Sequence, residues 1–283
     1  MAIGWYPGHM HKARKDITQA LQQVDAVIEM VDARLPYSSE NPLLNKLIGT
    51  KARIRVLNKN DLADPSITAQ WQRYYREAGI HTLLLERDDH AAVKQLLREI
   101  TRHLEHRRAR ANRVLIAGIP NVGKSTLINL LAERKIAKVG DEPAVTKARQ
   151  EIRLTDDLVL LDTPGILWPK IEDQQSAYRL AATGAIRNTA FELGDVGLFA
   201  VQFLQQRYPQ RLRERYGIDA GGEPLSVLEE IGRKRGCLTK GGVDFTKAGE
   251  TVLNDLRTGK LGLLSLESPD DVPLVSSGSA DES

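Results

Sequence analysis

The sequence predicts an α/β domain with a mostly parallel sheet, followed by a small all-α domain. Three observations carry that prediction. Short apolar runs alternate with helix-period stretches through the first two-thirds of the chain, the strand signal stops after about Pro169, and beyond it apolar residues recur at helical spacing. The 283 residues, 41% of them hydrophobic, suit about two domains with real cores and exclude a fully disordered chain.

The predicted strands are 26–31, 53–57, 82–85, 113–117, 151–154 and 158–161. Several are rich in Val and Ile, as suits a sheet covered on both faces. One helix begins at Asp64-Pro65, where Asp can cap and Pro can occupy the first turn. A second runs over 90–108 with Val93, Leu96, Leu97, Ile100 and Leu104 on one face. Beyond Pro169, three stretches carry apolar residues at helical spacing: 196–206, a segment with Leu225, Leu228 and Ile231, and one with Phe245, Ala248, Val252 and Leu256. The expected domains are therefore 1–172, 173–266 and a disordered acidic tail over 267–283.

Composition narrows the class. The single cysteine, Cys237, cannot form an internal disulfide; it reads as a small packing residue in a reducing compartment. No apolar run approaches a spanning helix, and the first residues lack the apolar stretch of a signal peptide, so a cytoplasmic protein off the membrane is expected. The tail from Glu267 holds five acids and no base, so the rest of the chain carries +8 rather than the overall +3. Arginines cluster over 98–113, over 207–215 and at Arg233-Lys234-Arg235. These patches fit a polyanion-binding footprint or solvated helix faces equally well, and charge alone does not choose.

Three motifs carry chemistry. Gly118-Ile-Pro-Asn-Val-Gly123-Lys124-Ser125 follows one predicted strand and opens a helical stretch, which is the context a phosphate-binding loop requires. Its glycines let the backbone wrap phosphates, and the N–H groups of Asn121, Val122, Gly123, Lys124, Ser125 and Thr126 would meet their charge. Lys124 would reach the β- and γ-phosphates, and the Ser125 hydroxyl would ligate Mg2+. Asp162-Thr-Pro-Gly165 follows another strand; Asp162 would hold the metal, and the Gly165 N–H would sense the γ-phosphate. Asn58-Lys59-Asn60-Asp61 ends a third strand. A carboxylate is what guanine demands, because its N1–H and N2 amino group are both donors, so Asp61 would select GTP or GDP over adenine nucleotides. The Lys59 stem would lie over the base, and Asn58 would brace the phosphate loop.

Together these motifs resemble a translation-factor-type GTPase in permuted order, with the Asn-Lys-x-Asp motif preceding the phosphate loop instead of following it. Permutation keeps the site, since the loops meet at one sheet edge, and it sends the chain from Asp162-Thr-Pro-Gly165 directly into the helical domain. Further strings narrow the resemblance: Trp5-Tyr-Pro-Gly-His9-Met10, Asp32-Ala-Arg34-Leu-Pro36 with Ser38, Ser39, Asn41 and Pro42, Gly165-Ile-Leu-Trp-Pro-Lys170, Lys234-Arg-Gly-Cys237 and Arg257-Thr-Gly-Lys260. They are similar to the YlqF/RbgA family of circularly permuted ribosome biogenesis GTPases, and the similarity covers almost the whole chain. It implies a permuted P-loop GTPase domain, a helical C-terminal domain that binds RNA or the ribosome, and GTP hydrolysis in a late step of large-subunit assembly, stimulated by that subunit. The partners would be the large ribosomal subunit and its rRNA, and the protein would act as a monomer.

Ile166 occupies the position where Ras-type enzymes place a water-orienting glutamine, so intrinsic hydrolysis is expected to be slow. The resemblance implies His9 as the catalytic histidine, Asn121 as a ligand of an activating K+, and Thr146 as the switch threonine closing on Mg2+ and the γ-phosphate. Two departures stand out: Ala144 where the family commonly has glycine, and Glu86-Arg87 where it places a small polar residue near the guanine carbonyl. Two rivals use the same phosphate loop. One is a GTP-dependent rRNA-binding scaffold with little hydrolysis of its own; the other is an ATP-dependent phosphotransferase or ATPase, against which Asp61 argues.

Overall fold

The structure, a computed structural model, describes residues 10–104, 111–132, 150–162, 171 and 173–273. The GTPase-like part runs α1 (Met10–Gln22), β1 (Ala26–Asp32), α2 (Pro36–Ser39), α3 (Pro42–Leu47), β2 (Ala52–Asn58), α4 (Pro65–Glu77), β3 (Thr82–Leu85), α5 (His90–Leu104), β4 (Asn112–Gly118), α6 (Lys124–Leu131), β5 (Gln150–Thr155) and β6 (Leu158–Asp162). All six expected strands form, in the order β3-β2-β1-β4-β6-β5; only β5 runs antiparallel to its neighbour.

Strand alternation sorts the core. Val27, Leu115 and Leu161 face one side of the sheet, packed with Ile17, Leu21, Leu44 and Ile48 of α1 and the α3 region. Ile28, Ile116 and Leu160 face the other, packed with Leu96 and Ile100 of α5 and Leu127 and Ile128 of α6. At α4 the sequence signal is realised in full: Asp64 caps the helix by accepting from the Ser66 N–H at 2.9 Å, and Pro65 fills the first turn.

The C-terminal part holds α7 (Gln174–Ala182), α8 (Leu193–Arg207), α9 (Pro209–Tyr216), α10 (Pro224–Lys234), β7 (Leu238–Thr239), β8 (Gly242–Val243) and α11 (Phe245–Arg257). Its apolar residues continue the cluster on the second sheet face without a break. Helices α8 and α11 cross closely because glycine meets glycine: a Cβ on Gly197 would lie 2.3 Å from the Gly249 Cα.

The C-terminal part is helical as expected, with one two-residue antiparallel ribbon, β7–β8, turning through Lys240 and Gly241. One expectation needs correction: no acidic tail begins at Glu267. The segment 261–272 returns across the GTPase-like part and is packed: Leu261, Leu264 and Leu266 are buried, and Glu267 is 3% exposed. The Glu267 carboxylate accepts from the Ser38 N–H at 2.9 Å and from Arg179 at 3.2 Å, while its carbonyl accepts from Trp71 Nε1. A run of acids looks solvated until its distant cations are known. Cys237 is buried, as a packing residue should be.

The basic clusters are partly consumed within the fold. Arg215 is bidentate to Asp255, Arg207 pairs with Asp271, Arg213 with Asp219, and Arg233 with Glu229. Residues 105–110 of the first cluster lie outside the described residues.

Candidate functional site

Parallel register brings four strand ends to one edge. Asp32 pairs with Asn58, Met30 with Gly118, and Ile116 with Asp162. The chain switches direction across β1 and β4, and in such sheets ligands bind at the carboxyl ends beside that switch. The phosphate loop leaves β4, the Asn-Lys-x-Asp loop leaves β2, and Asp162 ends β6.

The two loops are joined directly. Asn58, buried at the end of β2, donates from Nδ2 to the Val122 carbonyl at 2.7 Å. Gly123 has φ +100°, and a Cβ there would lie 2.2 Å from the Asn58 amide nitrogen, so this position needs glycine for its conformation and its clearance alike. Asn121 adopts the left-handed region, φ 58°, which Asn tolerates better than most residues. The helix N-terminus at Lys124 follows at once.

Lys124 is buried, and its ammonium donates to the carbonyls of Gly118 and Ile119 at 3.1 and 2.8 Å. Burial brings its pKa down to about 8; Asp162 opposes that shift and Lys59 adds to it. Two lysines of two different motifs therefore sense each other across one edge, an arrangement that favours an anion between them. Asp162 is fully buried beside them. A serine hydroxyl and a carboxylate are hard oxygen donors, so Ser125 and Asp162 fit Mg2+.

Lys59 sits in the left-handed region at φ 60° and its ammonium lies 3.3 Å from Asp32. Asp32 also takes a bidentate pair from Arg34, at 2.9 and 2.8 Å. Burial pushes the Asp32 carboxyl up, but Arg34 and Lys59 outweigh it and hold it well below the ordinary carboxylate range. The Asp32-Ala-Arg34 string thus supports the Lys59 side of the Asn-Lys-x-Asp loop, a role the sequence reading did not assign. Asp61 follows in a short 3-10 turn over Asn60–Leu62. Glu86, exposed after β3, accepts from Asn60 Nδ2 at 2.8 Å, and Arg87 is exposed. The departure at Glu86 therefore touches the Asn-Lys-x-Asp loop itself. Thr126 lies in the first turn of α6. His9, Thr146 and Gly165, with Ala144 and Ile166, lie outside the described residues.

Comparison with known proteins agrees with this geometry. Residues 113–217 match the family model described as 50S ribosome-binding GTPase. Ribosome biogenesis GTPase A of Priestia megaterium is 46% identical over 283 residues, covering 96% of this chain and 98% of that protein. The chain belongs to the ribosome biogenesis GTPase A family. Its likeness extends to mouse mitochondrial ribosome-associated GTPase 1, 37% identical, with 93% of this chain and 89% of that protein covered. Among solved structures, GNP-bound YlqF from T. maritima aligns with a TM-score of 0.65 at 29% identity, over 92% of this chain and all of that one. A GDP-bound YlqF structure gives the same TM-score over 90% of this chain and all of that one. As a family member this chain is a guanine-nucleotide-binding GTPase of the permuted α/β fold. Among the described residues no helix is long and apolar enough to cross a membrane.

Proposed function

We propose that this protein binds and hydrolyses GTP to drive a late step in assembly of the large ribosomal subunit, acting in the cytoplasm as a monomer on that subunit and its rRNA. The observation that carries the reading is the Asn58–Val122 hydrogen bond, which ties the guanine-selecting loop to the phosphate loop despite their inverted order. The matched family description and the names of the relatives support the choice of partner.

In this reading Asp61 accepts the two guanine donors, and the Lys59 stem covers the base. The backbone of 121–126 and Lys124 cradle the phosphates. Ser125, Asp162 and Thr146 would hold Mg2+, which when bound neutralises phosphate charge. The Asn121 amide oxygen would help hold K+. The Ile166 side chain cannot hydrogen-bond, so His9 places the attacking water, and the Gly165 N–H senses the γ-phosphate. The exposed cations of the helical domain meet rRNA phosphates, and Arg213 and Arg233 stay 75% and 67% exposed despite their ion pairs to Asp219 and Glu229.

The test is GTP turnover in potassium buffer with and without purified large subunits. Strong stimulation, lost in His9→Ala while GTP binding persists, is the expected result. GTP binding without any stimulation would favour a scaffold that uses the nucleotide only as a structural ligand.

A further inference from the structure

We propose that the last turn of α11 positions both halves of the nucleotide site, with Arg257 acting as the positioning residue for Asn121 of the phosphate loop. The proposal rests on the assignment of 118–125 to nucleotide phosphates.

The argument starts from the end of α7, whose last carbonyls have no intrahelical N–H to accept from. Arg257 fills that need with one planar fork: Nε donates to the Ala182 carbonyl at 2.9 Å and Nη2 to the Ala181 carbonyl at 2.8 Å. Nη2 also reaches Asn188 Oδ1 at 3.2 Å. The helix then closes through Gly184, at φ +82°, whose N–H donates to Ala181. A Cβ on Gly184 would stand 3.3 Å from Arg257 Nε, so guanidinium and turn are in contact. That turn aims the Gly184 carbonyl at the phosphate loop, where Asn121 Nδ2 donates to it at 2.8 Å.

The preceding residue serves the other loop. The Leu256 carbonyl accepts from Arg34 Nη1 at 3.3 Å, and Arg34 grips Asp32, which meets Lys59. Two consecutive residues of one helix therefore reach the phosphate loop and the Asn-Lys-x-Asp loop by separate routes. Nearby, Leu62 accepts from the Leu264 N–H at 3.1 Å, so the chain leaving α11 touches the residue after Asp61. A partner that displaces α11 would move base and phosphate contacts together. Lysine cannot replace arginine here, because a point charge cannot serve two carbonyls with fixed planar geometry.

The experiment uses the full chain without ribosomes, following dissociation of fluorescently labelled GDP and GTP alongside the melting temperature. Arg257→Met should release both nucleotides about tenfold faster, the equivalent of one lost hydrogen bond of ordinary strength. Arg257→Lys should fall between Met and wild type. Because Arg257 acts through Asn121, adding Arg257→Met to Asn121→Ala should change dissociation by less than about twofold. A lowered melting temperature with wild-type nucleotide kinetics, or full additivity in the double variant, would overturn the proposal. If Arg257→Met does not fold, Arg257→Lys decides alone: it keeps stem and charge but loses the fork, and wild-type kinetics would refute the role. Failure of the wild-type chain to bind either nucleotide would overturn the phosphate-loop assignment itself.

Discussion

Replacing Asn58 by alanine removes a side-chain bond that ties the Asn-Lys-x-Asp loop to the phosphate loop, 2.7 Å from Nδ2 to the Val122 carbonyl. Val122 is 1% exposed and Asn58 9%, so the carbonyl loses its donor in a place water does not freely reach. A buried acceptor left without its partner costs roughly 1–3 kcal/mol. Without nucleotide, the loop can relax and turn that carbonyl outward. With phosphates bound, the loop's N–H groups would be held against them, and the penalty would fall on the complex. Asn58→Ala should therefore weaken GDP between about fivefold and 150-fold, a factor of ten for each ~1.4 kcal/mol. Asn58→Asp should be worse still, because it sets a carboxylate against a carbonyl with no change of size. Equilibrium titration with labelled GDP at fixed Mg2+, paired with thermal melts, measures both terms. If both variants bind GDP like wild type while melting earlier, the bond only supports the core, and the brace reasoning fails.

Three further outcomes follow from burial and charge. Lys124 sits near pKa 8 through burial, and phosphates would raise it, so binding takes up a proton above that pH. GDP affinity should be flat up to pH 7 and fall about fourfold by pH 8.5; calorimetry in buffers of different ionisation heat detects the proton, and pH-independent affinity would sink the idea. Burial raises the Glu267 carboxyl to about 7, against the opposing pull of Arg179 and Ser38. The folded chain thus holds this proton more tightly than the unfolded one, so the stabilisation is complete below about pH 4.5 and is lost as pH rises through 7, by an amount of order 3 kcal/mol. Urea denaturation should show this decline flattened in Glu267→Gln, and an unchanged slope would count against it. A methyl on Gly249 would lie 2.3 Å from the Leu193 carbonyl, so Gly249→Ala should destabilise the chain by roughly 1–3 kcal/mol; unaltered urea midpoints would mean that the α8–α11 crossing has slack.

The sheet was legible because its signal is local. The run 158–161 is apolar along its own length and 26–31 is so except for Glu29, and the loops after them carry their chemistry in consecutive residues. The helical cap at Asp64-Pro65 was readable for the same reason. What stayed hidden depends on pairs far apart in the chain. Glu267 reads as tail until Ser38 and Arg179 are beside it, and the arginines over 207–215 read as an open patch until Asp255 and Asp271 arrive. The Asp32-Ala-Arg34 string lies between these cases. An acid at a strand end with an arginine two residues on is a local ion pair that could have been read, whereas the reach of Arg34 to Leu256 could not. The hidden contacts share a consequence of permutation. With the Asn-Lys-x-Asp loop placed early, the contacts that close the fold run from the last part of the chain to its first: Leu266 to Arg34, Leu264 to Leu62, and Glu267 to Ser38. Leu62 ends the turn that holds Asp61, and Arg34 grips the Asp32 that meets Lys59, while Ser38 follows in α2. In an unpermuted order these loops would lie next to the chain's own end. Here the chain that leaves the helical domain travels back to them, and these return contacts are what join the C-terminal segment to the first part of the fold.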